Sequence, residues 1–137
     1  MTIPKSTAWA RANKDRVKTQ NDRVKRTLNG KLANLISTSR YRAKLSKREH
    51  SVCVDDLRKI YYDQDGKCAI SGKEMSIRGK GCAANSPYSI SLDRIDSTLG
   101  YTIDNVWLVC TGVNLMKSRL TMEQFIDFCN SVSEKFS

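Results

Sequence analysis

The sequence has a single histidine, no glycine or proline between Thr7 and Leu28, and no run of about 20 apolar residues of the kind that spans a bilayer. The last absence excludes a helical membrane protein. The second leaves Thr7 to Leu28 without a helix breaker, and the first restricts imidazole chemistry to His50. At the N-terminus, MTIPKSTAWARANKDRVK offers no apolar stretch before its charges begin, so it does not read as a secretory signal. A cytoplasmic protein is expected, with its five cysteines as reduced thiols. Repeats and low-complexity tracts are missing too, and 137 residues suffice for one modest core.

Acidic residues are scarce in one half only. Positions 1 to 50 hold 3 Asp and Glu against 14 Lys and Arg, whereas positions 51 to 137 hold 11 against 10. The division is thus a basic arm, residues 1–50, and a near-neutral body, residues 51–137. Clustered cations displace counterions from phosphates, which makes double-stranded DNA the expected partner of the arm. A solvated helix surface is the plainer alternative. Arg11, Lys14, Lys18, Lys25, Arg26, Arg40, Arg42 and Lys44 are the candidate DNA-binding residues.

Good helix formers alternate with Lys and Arg from Thr7 to Leu28, and Trp9, Val17, Val24 and Leu28 give only a narrow apolar stripe. Such a helix suits a nucleic-acid surface. After Gly30, Leu32, Leu35, Ile36 and Leu45 alternate with Arg40, Tyr41, Arg42 and Lys44, which predicts a second helix with one packed and one basic face. VCVDDLRKIYYDQDG reads as a short helix with Asp55 and Asp56 in its first turn, CAISG as a knuckle, and Arg78 to Pro87 as a loop. Ile90 and Leu92, then Tyr101 and Ile103, are expected in two strands around a turn at Ser97 to Gly100, followed by the apolar run Val106 to Val109. From Cys110 onward, Val113, Met116, Leu120, Phe125, Ile126, Phe128 and Val132 predict one or two closing helices, the last beginning near Thr121. The fold class is α+β.

A strand ending in Asp93, a turn, and a helix beginning near Cys110 would bring Asp93 and Asn114 together. One carboxylate and one amide carbonyl suit a hard divalent ion, whose other positions are left to water and phosphate oxygens. By itself such a pair is more often a cap or an Asx-turn.

The order CAISG at Cys68, SLDRIDS at Ser91, GYTIDNV at Gly100 and LVCTGVNLMKS at Leu108 resembles the HNH, or ββα-metal, nuclease superfamily over roughly residues 50 to 130. It is similar to the branch of phage-encoded HNH endonucleases and the restriction enzyme PacI, in which Asp-Arg replaces Asp-His. The resemblance implies a ββα-metal core and a magnesium- or manganese-dependent DNA endonuclease. Asp93 and Asn114 would be the metal ligands, Asn105 would brace the hairpin, and Lys117 would face a phosphate.

Arg94 stands where the superfamily has its general base, and a guanidinium accepts no proton near neutral pH. It is therefore assigned to the phosphate, as a clamp or a stabiliser of transition-state charge. In the related branch a His and a Tyr upstream of the first knuckle assist, and His50, Tyr61 and Tyr62 hold comparable places. His50 would activate water directly or through a tyrosine, although a lone His beside Glu49 also fits a structural role. Tyr61 falls on the apolar side of its helix and Tyr62 does not, and spacing does not choose between catalytic and packing roles. Many relatives hold a structural zinc with two C-x-x-C knuckles. Here these read Cys68-Ala-Ile-Ser71 and Cys110-Thr-Gly-Val113, so a structural zinc is not expected. Cys53, Cys82 and Cys129 lack knuckle spacing. A palindromic target would require a homodimer. The alternative function is a DNA-binding module that keeps the scaffold without the chemistry.

Overall fold

The computed structural model describes residues 13–15, 27–77 and 86–137. Most of the predicted helix from Thr7 to Leu28, with Arg11, Lys18, Lys25 and Arg26, lies outside these residues, as does most of the predicted loop after Arg78. The described chain is mixed α+β, with four helices and one two-stranded antiparallel sheet.

Helix α1, Leu28–Ser46, starts where the Thr27 hydroxyl accepts the Gly30 amide, 3.0 Å away, and stops at Lys47, whose left-handed backbone (φ 56°) returns its amide to the Ala43 and Lys44 carbonyls. Leu32, Ile36, Ser39 and Ala43 recur at intervals of three and four residues and are buried. Leu45, expected with them, is 67% exposed, because thirteen residues after Leu32 the helix has turned it to the opposite side. Arg40, Arg42 and Lys44 line the exposed surface. The helix thus shares its core with the body, through Leu32, Ile36 and Ala43.

Helix α2, Val54–Asp63, begins after Cys53, whose amide donates to Asp56 Oδ2 at 3.0 Å, and buries Leu57 completely. It ends at Gln64, and Asp65 and Gly66 reverse the chain with positive φ. Strands β1, Ile90–Arg94, and β2, Val106–Cys110, pair in the register Ile90 to Cys110, Leu92 to Leu108 and Asp93 to Trp107.

The return strand is therefore the apolar run, not the segment around Tyr101 and Ile103. Asn105 explains the change. Its amide nitrogen donates to the Asp96 and Gly100 carbonyls at 3.0 and 2.8 Å, and its Oδ1 accepts the Asp96 amide at 2.9 Å. These bonds close the loop between the strands, with Ile103–Asn105 as one turn of 3-10 helix, and only then can the chain extend.

Along the other edge of β2, Gln64 replaces a neighbouring strand. Its Nε2 donates to the Leu108 carbonyl at 2.8 Å and its Oε1 accepts the Leu108 amide at 3.0 Å, so the backbone of a buried residue is satisfied. Helix α3, Thr111–Lys117, follows β2 directly. Helix α4, Met122–Phe136, opens with a reciprocal cap between Thr121 and Gln124. Of its apolar positions only Phe125 is buried, while Ile126, Phe128 and Val132 are half or more exposed. Among the described residues no helix is long and apolar enough to cross a membrane.

Candidate functional site

Strand periodicity separates Ile90 and Leu92, which are buried, from Ser91 and Asp93, which share the other face. Helix α3 lies against that face and brings up Asn114 and Lys117, neighbours on one helical surface because three residues separate them. Asn114 Nδ2 donates to Ser91 Oγ at 2.8 Å, and Lys117 Nζ donates to Asp93 Oδ2 at 2.9 Å. Trp107, opposite Asp93 in the register, donates its indole N–H to the same Oδ2 at 2.8 Å. The predicted ligands thus stand on adjacent elements although 21 positions separate them in the chain.

Lys117 was expected to face a phosphate and instead turns inward. Its side chain is 5% exposed and that of Asp93 11%, so the two form a nearly dry ion pair. Burial at this depth is sustainable only because each charge has the other. The fit of a divalent ion is a matter of donor chemistry. With its nitrogen tied to Ser91, Asn114 leaves its carbonyl oxygen free to be a ligand, and Asp93 adds a carboxylate. Hard cations take such oxygens, provided Lys117 yields its place. Among the described residues no group of three or more His, Cys, Asp or Glu gathers around a common point.

Arg94 folds back over the interstrand loop. Its Nη1 donates to the Leu99 carbonyl at 3.0 Å, and its guanidinium carbon stands 5.0 Å from the centre of the Tyr101 ring. Tyr101 also touches His50, with ring centres 5.6 Å apart and planes tilted by 42°. The backbone makes this neighbourhood. Tyr101 donates its amide to the Glu49 carbonyl at 2.8 Å and accepts the Ser51 amide at 3.0 Å, a short parallel bridge between positions 50 and 101.

His50 Nε2 is 2.8 Å from Ser39 Oγ. Ser39 already gives its one proton to the Ile36 carbonyl at 3.0 Å, so on this assignment its oxygen accepts from Nε2–H and Nδ1 is the nitrogen open to a proton. Burial, and then the charge of Arg40, hold the imidazole below its ordinary pKa of 6.5 against its own backbone carbonyl, which pulls the other way. The ring is therefore neutral at pH 7. Contact between His50 and Asp93 runs through Tyr101 and Arg94; among the described residues no hydrogen bond joins His50 to Asp93 or Asn114.

Tyr61 packs against the core with its hydroxyl over Gly66, and Tyr62 stands edge-on to it, 65% exposed. Both belong to α2, which meets the sheet along the outer edge of β2, away from the β1 pairing. Tyr101 and Trp107 are the neighbours that sequence reading missed. A polar-tipped aromatic opposite Asp93 was the available signal for Trp107, but it needed the true strand register.

The two knuckles meet through their first cysteines. Cys68 Sγ accepts the Cys110 amide at 3.2 Å and the Ser71 amide at 3.4 Å, and Val113 packs on the core beside them. Burial raises the Cys110 thiol, with the charge of Cys68 adding to it. At Cys68 burial also raises the pKa, yet the Ser71 hydroxyl and the amides of Ser71, Cys110 and Ile70 together bring it below its ordinary value. Cys53, Cys68, Cys110 and Cys129 are free thiols. Among the basic candidates, Lys14, Arg40, Arg42 and Lys44 are exposed, and neighbouring Arg48 is clasped to the Thr98 carbonyl.

No family model, curated protein or solved structure matches this chain.

Proposed function

We propose that the chain is a metal-dependent DNA endonuclease of the HNH, or ββα-metal, kind. The observation that carries this reading is that β1 and α3 present Asp93 and Asn114 to each other's side, Asn114 bonded to Ser91 and Asp93 bonded to Trp107 and Lys117. Asp93 and Asn114 would hold magnesium or manganese, and the ion would supply Lewis-acid stabilisation of phosphate charge. Arg40, Arg42 and Lys44 bind duplex DNA through its phosphates, together with the basic residues toward the N-terminus. Arg94, anchored on the Leu99 carbonyl and the Tyr101 ring, would supply the positive charge that orients the scissile phosphate. His50, neutral at pH 7 and steadied by Ser39, is the proton acceptor, with Tyr101 as its link toward Arg94. This replaces Tyr61 and Tyr62 as the tyrosines nearest the chemistry.

The deciding test is plasmid nicking by purified protein with magnesium or manganese. Conversion of supercoiled to open-circular DNA is expected, and its absence, or equal activity in Asp93→Ala, defeats the reading.

The buried Lys117–Asp93 pair favours a second reading, a DNA-binding module in which a lysine has permanently taken the cation's place. A gel shift that persists in EDTA, with no cleavage under any divalent ion, would select it.

A further inference from the structure

We infer that Lys117 is a built-in counter-ion for Asp93, which an incoming divalent cation must displace before it can take that carboxylate. The inference rests on the nuclease reading above. Lys117 Nζ and the Trp107 indole N–H both end on Asp93 Oδ2, at 2.9 and 2.8 Å, so this oxygen is already committed. The ammonium also approaches the Arg94 carbonyl, a second acceptor at the loop end of β1, at 3.5 Å. With so little of either side chain exposed, water screens the pair poorly, and an ammonium and a metal ion on one carboxylate would repel strongly.

Metal-free and metal-loaded protein must therefore differ in where Lys117 lies. Apparent metal affinity is then reduced by the fraction of molecules in which Lys117 has left Asp93. The same pair keeps the metal-free site folded, since it prevents Asp93 from being buried as a lone charge. Lys117 is on this account a positioning residue that holds the ligand ready and sets the threshold at which metal enters.

The test is titration of manganese into the Trp9→Phe protein, followed by calorimetry and by the emission of Trp107, whose indole shares Oδ2 with Lys117. Lys117→Met in that background should bind manganese at least about tenfold more tightly. Its melting temperature should also rise with manganese by more than the parent's, because its Asp93 lacks a counter-ion until metal arrives. Equal or weaker binding overturns the inference. If Lys117→Met does not fold without metal, Lys117→Gln, which keeps an N–H for Oδ2 but no charge, is held to the same standard. Plasmid nicking separates the two ideas. A parent that nicks while neither variant binds manganese more tightly leaves the nuclease and removes the counter-ion. A parent that neither binds manganese nor nicks removes both.

Discussion

Gly100 packs its α-carbon directly on the backbone of Glu49, and a β-carbon there would overlap the Glu49 carbonyl oxygen. Side-chain bulk is excluded where the interstrand loop meets the segment carrying His50. Gly100→Ala should push these two segments apart, lose the bridge between His50 and Tyr101, and destabilise the fold by about 1–3 kcal/mol. Urea denaturation reads the stability. Nicking activity should fall alongside it, whereas a loop that merely tolerates the methyl would leave both unchanged.

Removing one partner of the Asp93–Lys117 pair should cost far more than removing both. Asp93→Ala leaves a buried ammonium unmatched, which typically costs about 3–5 kcal/mol. Adding Lys117→Met to that variant should restore most of the loss. A double-mutant cycle in denaturant would show this as strong coupling, and additive effects would mean that the two side chains do not depend on each other.

The lowered pKa of His50 gives a signed pH dependence. On the nuclease reading His50 accepts a proton and must be neutral, so the acid limb of the nicking profile should lie below pH 6.5, the ordinary value. His50→Asn should slow nicking by about 10²–10⁴-fold and remove that limb. The same shift bears on folding. The unfolded chain protonates His50 more readily than the folded one, so this contribution to stability is present above pH 6.5 and is lost as pH falls toward the lower folded pKa. Thermal melts of the parent and His50→Asn across that range should converge at low pH.

The exposed basic surface of α1 should act through phosphates and not bases. Replacing Arg40, Arg42 and Lys44 by alanine should weaken binding similarly for unrelated duplexes and reduce the salt slope by about 0.9 for each phosphate no longer neutralised. Fluorescence anisotropy at several salt concentrations measures this. Unchanged affinity and an unchanged slope would place the DNA on another surface.

Short-range chemistry was legible in the residues themselves. Helix α2 is marked by Asp55 and Asp56 before a periodic apolar face, and Thr121 marks the start of the last helix, where the structure adds a reciprocal cap with Gln124. The turn after Arg94 was also visible. The return strand was misplaced, since Tyr101 and Ile103 alternate like a strand but the side chain of Asn105 ties the loop closed first. The local pattern could not reveal a competition decided by three side-chain hydrogen bonds across the loop.

The sequence by itself determined a basic first half, a single imidazole, a hairpin-forming stretch and the residue types Asp93 and Asn114, because charge and local propensity are properties of neighbouring residues. The tertiary structure alone decided which groups meet. The packing of α3 on β1 turned Lys117 inward onto Asp93, and the close approach at Gly100 set His50 against Tyr101. Both contacts join residues more than twenty positions apart, and burial, not spacing along the chain, gives them their strength.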